Sequence, residues 1–153
     1  MPRRSAGLLL FRRGDGDRLE VMLVHMGGPF WANKDEGAWS IPKGEYAEDE
    51  DPLVTARREF EEEIGRPPPE GEPIELGEVR QSGGKAVTAW ALEADLDVSE
   101  IESNTFTVEW PRGSGCLREF PEVDRAEWFD AETARRKLVR AQAAFLDALS
   151  DRL

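Results

Sequence analysis

Residues 44–65 read Gly44-Glu45-Tyr46-Ala47-Glu48-Asp49-Glu50-Asp51-Pro52-Leu53-Val54-Thr55-Ala56-Arg57-Arg58-Glu59-Phe60-Glu61-Glu62-Glu63-Ile64-Gly65. Asp51 before Pro52 is a helix-start signal. The Asp side chain accepts from an otherwise orphaned N–H, and Pro is tolerated at the first helical position. Gly65, followed by Pro67-Pro68-Pro69, is the stop. The spacing predicts an uninterrupted helix between them. With Glu59 set at about 0° on a wheel of 100° per residue, Glu62 falls at about 300° and Glu63 at about 40°. The three carboxylates therefore share an arc of about 100°. Ala56, Phe60, Leu53 and Ile64 occupy about 60° to 140°, an apolar stripe beside the acidic one. Arg58, at about 260°, flanks the acidic arc from its other side.

Like charges at this spacing weaken a helix by roughly 0.2–0.5 kcal/mol per pair. With 32 Asp and Glu among 153 residues, a Glu run by itself reads as a solvated face. A hard divalent cation gives this cluster a use, because such ions take oxygen ligands and retain waters that act as nucleophiles. Arg58 can hold a carboxylate through its planar fork. Upstream, Gly44 has no side chain to keep its carbonyl from a metal. Lys43 offers a point charge to a phosphate, or is simply an exposed turn lysine.

The spaced set of Gly44, Glu50, Arg58, Glu59, Glu62, Glu63 and Gly65, with apolar Phe60 between, resembles the Nudix box. One position departs: the family usually has an apolar residue after the final glycine, and Arg66 stands here. The resemblance implies a Nudix fold, an α/β/α sandwich with a mixed β-sheet, over residues 1–153 as one domain. It implies Mg²⁺ (or Mn²⁺), held by Glu59, Glu62, Glu63 and the Gly44 carbonyl. It also implies cleavage of a pyrophosphate bond in a nucleoside diphosphate linked to another moiety. In many such hydrolases a Glu precedes a short Trp-containing strand and serves the metal or the attacking water. Glu122, six residues before Trp128, matches that place best, with Glu119 as fallback. Solvated loop carboxylate is the competing reading for both, and Glu127 is expected to point outward.

Within the superfamily the chain looks most like the asymmetric diadenosine tetraphosphate hydrolases. The likeness rests on Ala6-Gly7-Leu8, Trp39 before Pro42-Lys43-Gly44, the Glu122–Trp128 spacing and the helical end. The Gly27–Gly37 stretch departs from that group. ADP-ribose and nucleoside triphosphates remain alternative substrates, and a non-catalytic nucleotide-binding module is the rival of another class.

The remaining elements follow from pattern. Ser5–Phe11 and Leu19–His25 are strands joined by a turn at Gly14–Asp17, and Trp39–Ile41 is a short strand. Glu75–Gln81 and Ala86–Ala94 form a second hairpin around Ser82-Gly83-Gly84. Asp95–Asn104 is irregular, and Thr105–Trp110 and Arg125–Phe129 are strands. Residues Ala131–Val139 and Ala141–Leu149 are helical. Strands with one central and one terminal helical region predict a mixed sheet covered on both faces.

Arg80 and Lys85 flank the second hairpin, placed either toward the cleft or in solvent. Phe30 and Trp31, in a Gly/Pro-bounded loop, are candidates for stacking on a base or for stapling their own loop. Trp39, Trp90 and Trp128 read as core, and the lone His25 as structural or exposed.

The net charge of −12 argues against a nucleic-acid polymer and an anionic membrane as partners. A small nucleotide is compatible, because a bound cation reverses the local field. Lone Cys116 excludes an internal disulfide and fits a reducing, cytoplasmic setting. The N-terminal pattern predicts no signal peptide. Monomer and homodimer are both open.

Overall fold

A computed structural model describes residues 3–153. Among the described residues there are nine strands and three α-helices: β1 Arg4–Arg13, β2 Leu19–Met26, β3 Trp39–Ser40, β4 Lys43–Glu45, α1 Pro52–Ile64, β5 Ile74–Arg80, β6 Ala86–Glu93, β7 Thr105–Glu109, β8 Leu117–Pro121, β9 Val123–Asp130, α2 Ala131–Lys137 and α3 Ala143–Arg152. Seven strands form one mixed sheet. β1 pairs in parallel with β6 over Arg4–Phe11, and every other pairing in it is antiparallel.

The sheet forks. β1 meets β2 only at Phe11–Arg13. Toward its N-terminus β1 pairs instead with β4, Ala6 opposite Gly44. β9 takes one whole edge of β2, so β3 shares the other edge with β1, opposite Val24 and His25. The fork seats the chain between Trp39 and Glu45 in the middle of the sheet and brings Gly44 in front of α1.

Alternation along β1 and β2 divides the core. Ala6, Leu8, Leu10, Met22 and Val24 pack with Ala56, Phe60 and Ile64 of α1. Leu9, Phe11, Val21 and Leu23 pack with Ala134, Leu138, Phe145, Leu146 and Leu149 on the other face. The result is the α/β/α sandwich expected. Burying each large apolar side chain contributes about 1.5–3 kcal/mol.

α1 is built as its signals dictate. The Asp51 carboxylate accepts from the Leu53 N–H at 2.9 Å. Gly65 takes φ 89°, a left-handed value natural to glycine, and its N–H donates to the Glu61 carbonyl at 2.8 Å.

Three differences from the sequence expectation stand out. β4 is a strand only because β1 offers it a ladder. β8 was not expected; it pairs with β7 as a separate ribbon, Thr105 opposite Pro121 through Glu109 opposite Leu117. The terminal helices cover Ala131–Lys137 and Ala143–Arg152 rather than 131–139 and 141–149.

Trp39 is fully buried, whereas Trp90 and Trp128 are half-buried against the α1-side core. His25 is wholly buried, with Nδ1 2.8 Å from Asp124 Oδ1 and Nε2 2.6 Å from the Lys34 carbonyl. No helix among the described residues is long and apolar enough to cross a membrane.

Candidate active site

A cleft of about 420 Å³ opens where the last turns of α1 meet β4, the start of β1 and the residue leading into β6. It is lined by Ser5, Lys43, Gly44, Glu45, Glu59, Glu62, Glu63, Lys85, Asn104 and Glu122. The three helix carboxylates thus reach one space, as their shared arc requires, and Glu122 joins them from the turn between β8 and β9.

Glu63 sits deepest, 7% exposed, because its wheel position borders the stripe that buries Phe60 and Ile64. Its Oε2 accepts the Lys43 main-chain N–H at 3.1 Å. Burial, followed by the nearby Glu59 charge, pushes this carboxyl well above the ordinary carboxylate range, against the pull of the Lys43 N–H and side chain. Burial and the neighbouring Glu62 raise Glu59 as well. The Lys43 ammonium is lowered, first by burial, and Lys85 adds to this.

Gly44 is required by close approach. A Cβ there would lie 2.0 Å from Glu59 Cδ and 2.3 Å from its Oε1. The Glu59 carboxyl occupies the space a side chain would fill, against the Gly44 backbone. Arg58 spans three carboxylates: Nη1 to Glu50 Oε2 at 3.0 Å, Nη2 to Glu59 Oε1 at 3.6 Å, and Nε to Glu62 Oε1 at 3.8 Å. Glu50 is further fixed by the Ala47 N–H at 2.9 Å, the first cause of its lowered carboxyl. Arg66, at the departing position, is exposed and donates to the Asp97 carbonyl, outside the cleft.

Not every candidate converges. Arg80 is exposed on β5, outside the cleft lining, while Lys85 lies in it. Phe30 stands edge-on to Trp110, centroids 5.4 Å apart, with Arg112 over its ring. Trp31 packs against the core on the α3 side. Neither aromatic lines the cleft. Glu119 and Glu127 are exposed on β8 and β9, Glu127 paired with Arg125 at 3.4 Å. Ser5, Glu45 and Asn104 line the cleft without having been singled out. Asn104 lies in a polar stretch with no period to distinguish it.

The donor set suits a hard cation: all five acidic liners are carboxylates, and the Gly44 backbone is unshielded. Among the described residues no three acidic, His or Cys side chains close into a ready-made cage.

The NUDIX domain family matches residues 1–149. None of the curated proteins matches the sequence. Among solved structures, a C. elegans Ap4A hydrolase binary complex is 21% identical with TM-score 0.67, covering 96% of each chain. The NUDIX domain of Shewanella oneidensis NrtR, complexed with ADP ribose, is 18% identical with TM-score 0.67, covering 99% of this chain and 88% of that one. RenU, a Nudix hydrolase from M. smegmatis, is 23% identical with TM-score 0.61, over 96% and 83%. At these identities the likeness speaks for the fold, and the family match speaks for the chemistry, which in Nudix hydrolases generally uses divalent metal ions. The chain belongs to the NUDIX domain family and is a hydrolase acting on pyrophosphate bonds.

Proposed function

We propose that this protein is a Mg²⁺- or Mn²⁺-dependent pyrophosphohydrolase that cleaves a nucleoside diphosphate linked to another moiety, with dinucleoside polyphosphates as the leading substrates. The observation that carries the reading is the convergence of Glu59, Glu62, Glu63 and Glu122 with Lys43 and Lys85 on one cleft.

Glu59, Glu62, Glu63 and the Gly44 carbonyl would hold the metal, with Glu122, which lines the same cleft, as a further ligand. A divalent cation bound there would neutralise phosphate charge and make a water more acidic. The chain's own residues do the rest. The Lys43 N–H fixes the Glu63 carboxylate, and Arg58 restrains Glu59 and Glu62. Lys43 and Lys85 meet the phosphoryl oxygens and the charge that develops on the leaving phosphate. Glu59 and Glu122 are the two positions from which a carboxylate takes the water's proton.

Two lysines across an otherwise acidic cleft suit a chain of several phosphates. Likeness to an Ap4A hydrolase over nearly the full length favours dinucleoside polyphosphates. The ADP-ribose-bound neighbour keeps ADP-ribose as the second reading, with nucleoside triphosphates behind it. A non-catalytic nucleotide-binding module is disfavoured because every box carboxylate is present.

Nucleotide and phosphate release should be followed with dinucleoside polyphosphates, ADP-ribose and nucleoside triphosphates, with Mg²⁺ and with chelator. Metal-dependent release, highest on a dinucleoside polyphosphate, is expected. Silence across the panel would favour the binding module.

A further inference from the structure

Asn104 is tied down on both sides by its main chain. Its N–H donates to the Glu62 carbonyl at 2.8 Å, and its carbonyl accepts from the Glu122 N–H at 2.8 Å. The adjoining chain reinforces both bonds. Glu102 N–H donates to the Ile64 carbonyl at 3.0 Å, and the Val123 N–H donates to Ser103 Oγ at 3.2 Å. Residues 102–104 therefore strap the end of α1, where the carboxylates sit, to the turn that carries Glu122. The β7–β8 ladder begins at the next pair, Thr105 opposite Pro121.

The side chain so anchored lines the cleft. Its only hydrogen bond among the described residues is a long one, 3.5 Å from Ser103 Oγ to Oδ1. The carboxamide NH₂ has no protein partner there, so it contributes little to the fold. The cleft holds five glutamates, two lysines and few other donors. A pyrophosphate brings several anionic oxygens into it. A neutral amide can donate to one of them without repelling a cation, as a further lysine would, and without adding charge to the carboxylates.

We propose that Asn104 contacts substrate, its carboxamide NH₂ donating to a phosphoryl oxygen of the bound pyrophosphate from a main chain that the strap already holds at the cleft. This rests on the pyrophosphohydrolase reading of the same cleft. With the main chain already fixed, only the torsions of a short side chain are left to restrain on binding, which keeps the ordering cost of such a bond small.

The test uses adenosine 5′-(α,β-methylene)diphosphate, which cannot be cleaved between its phosphates, titrated calorimetrically into the full chain with Mg²⁺. Asn104→Ala should weaken binding about tenfold, in keeping with loss of a hydrogen bond to a charged group. Asn104→Asp should weaken it further by adding a negative charge, and Asn104→Ser, which keeps a neutral donor, should recover part of the loss. Mn²⁺ affinity measured alone by electron paramagnetic resonance should be unchanged in Asn104→Ala, as should the melting temperature. Analogue affinity in Asn104→Ala within about twofold of wild type, or a parallel loss of Mn²⁺ affinity, would overturn the assignment. If the wild-type chain turns over the panel yet Asn104→Ala binds normally, this inference alone falls. If the wild-type chain neither binds nor cleaves any pyrophosphate, the reading of the cleft falls with it.

Discussion

The Lys43 main-chain N–H donates to Glu63 Oε2 at 3.1 Å, joining the strand that carries Gly44 to the most buried carboxylate of the helix. One main-chain donor does not offset the burial of that carboxylate beside Glu59, so its carboxyl is held well above the ordinary range. The fold keeps a group there that its metal-free form would be more stable without.

A carboxyl raised in the folded state contributes stability that is fully present below its unfolded pKa and lost as pH rises through the folded value. Glu63→Gln keeps the acceptor for Lys43 N–H and removes the charge. The metal-free variant should melt at the same temperature as wild type at low pH and increasingly above it toward neutrality. The difference between the two melting curves against pH is the measurement, and a variant less stable than wild type at pH 7 contradicts the account. Saturating Mg²⁺ should narrow the gap, because ligand at 100 times Kd stabilises by about 2.7 kcal/mol and wild type alone binds it well.

Gly44→Ala should separate activity from folding. The new Cβ would press on the Glu59 carboxyl, the far end of a flexible side chain that can swing away. Loss of stability should stay near 1 kcal/mol, while displacement of Glu59 should lower kcat by about tenfold or more. Melting and steady-state kinetics on the same preparation decide it.

Arg58→Ala frees Glu50, Glu59 and Glu62 together. Its exposed pairs contribute about 0–1 kcal/mol to stability. Turnover should fall far more than stability, with a rise in the Mg²⁺ concentration needed for half-maximal rate. Arg58→Lys should recover little, because an ammonium cannot span three carboxylates as the planar fork does. Full recovery by lysine would contradict this role.

Phe60→Ala tests the packing side of the same helix. Phe60 is fully buried on the stripe beside the carboxylates, and its truncation should cost about 3–5 kcal/mol. A melting curve close to wild type would mean α1 is not seated on the sheet as described.

The carboxylate helix was legible because local signals and long-range packing agree there. Asp51-Pro52 starts it, Gly65 ends it, and the 3.6-residue period separates the faces. The same wheel put Glu63 next to the apolar stripe, which is why it is the buried member. Elsewhere the deciding forces are not local. β4 contains Lys, Gly and Glu and becomes a strand through its ladder with β1. β8 has almost no buried position to create alternation, so only pairing with β7 reveals it. Asn104 acquires its place from main-chain bonds to Glu62 and Glu122, distant in sequence and independent of its side chain. Phe30 and Trp31 are neighbours in one loop with different fates, one against Trp110 and one against the core, and no sequence pattern distinguishes them.

The most direct test is cleavage of a diadenosine polyphosphate at saturating Mg²⁺ by wild type and by Glu62→Gln and Glu63→Gln. Both variants should fold and lose turnover about 10³-fold, near 4 kcal/mol of barrier. Turnover close to wild type in either variant would contradict the assignment of these carboxylates to the metal.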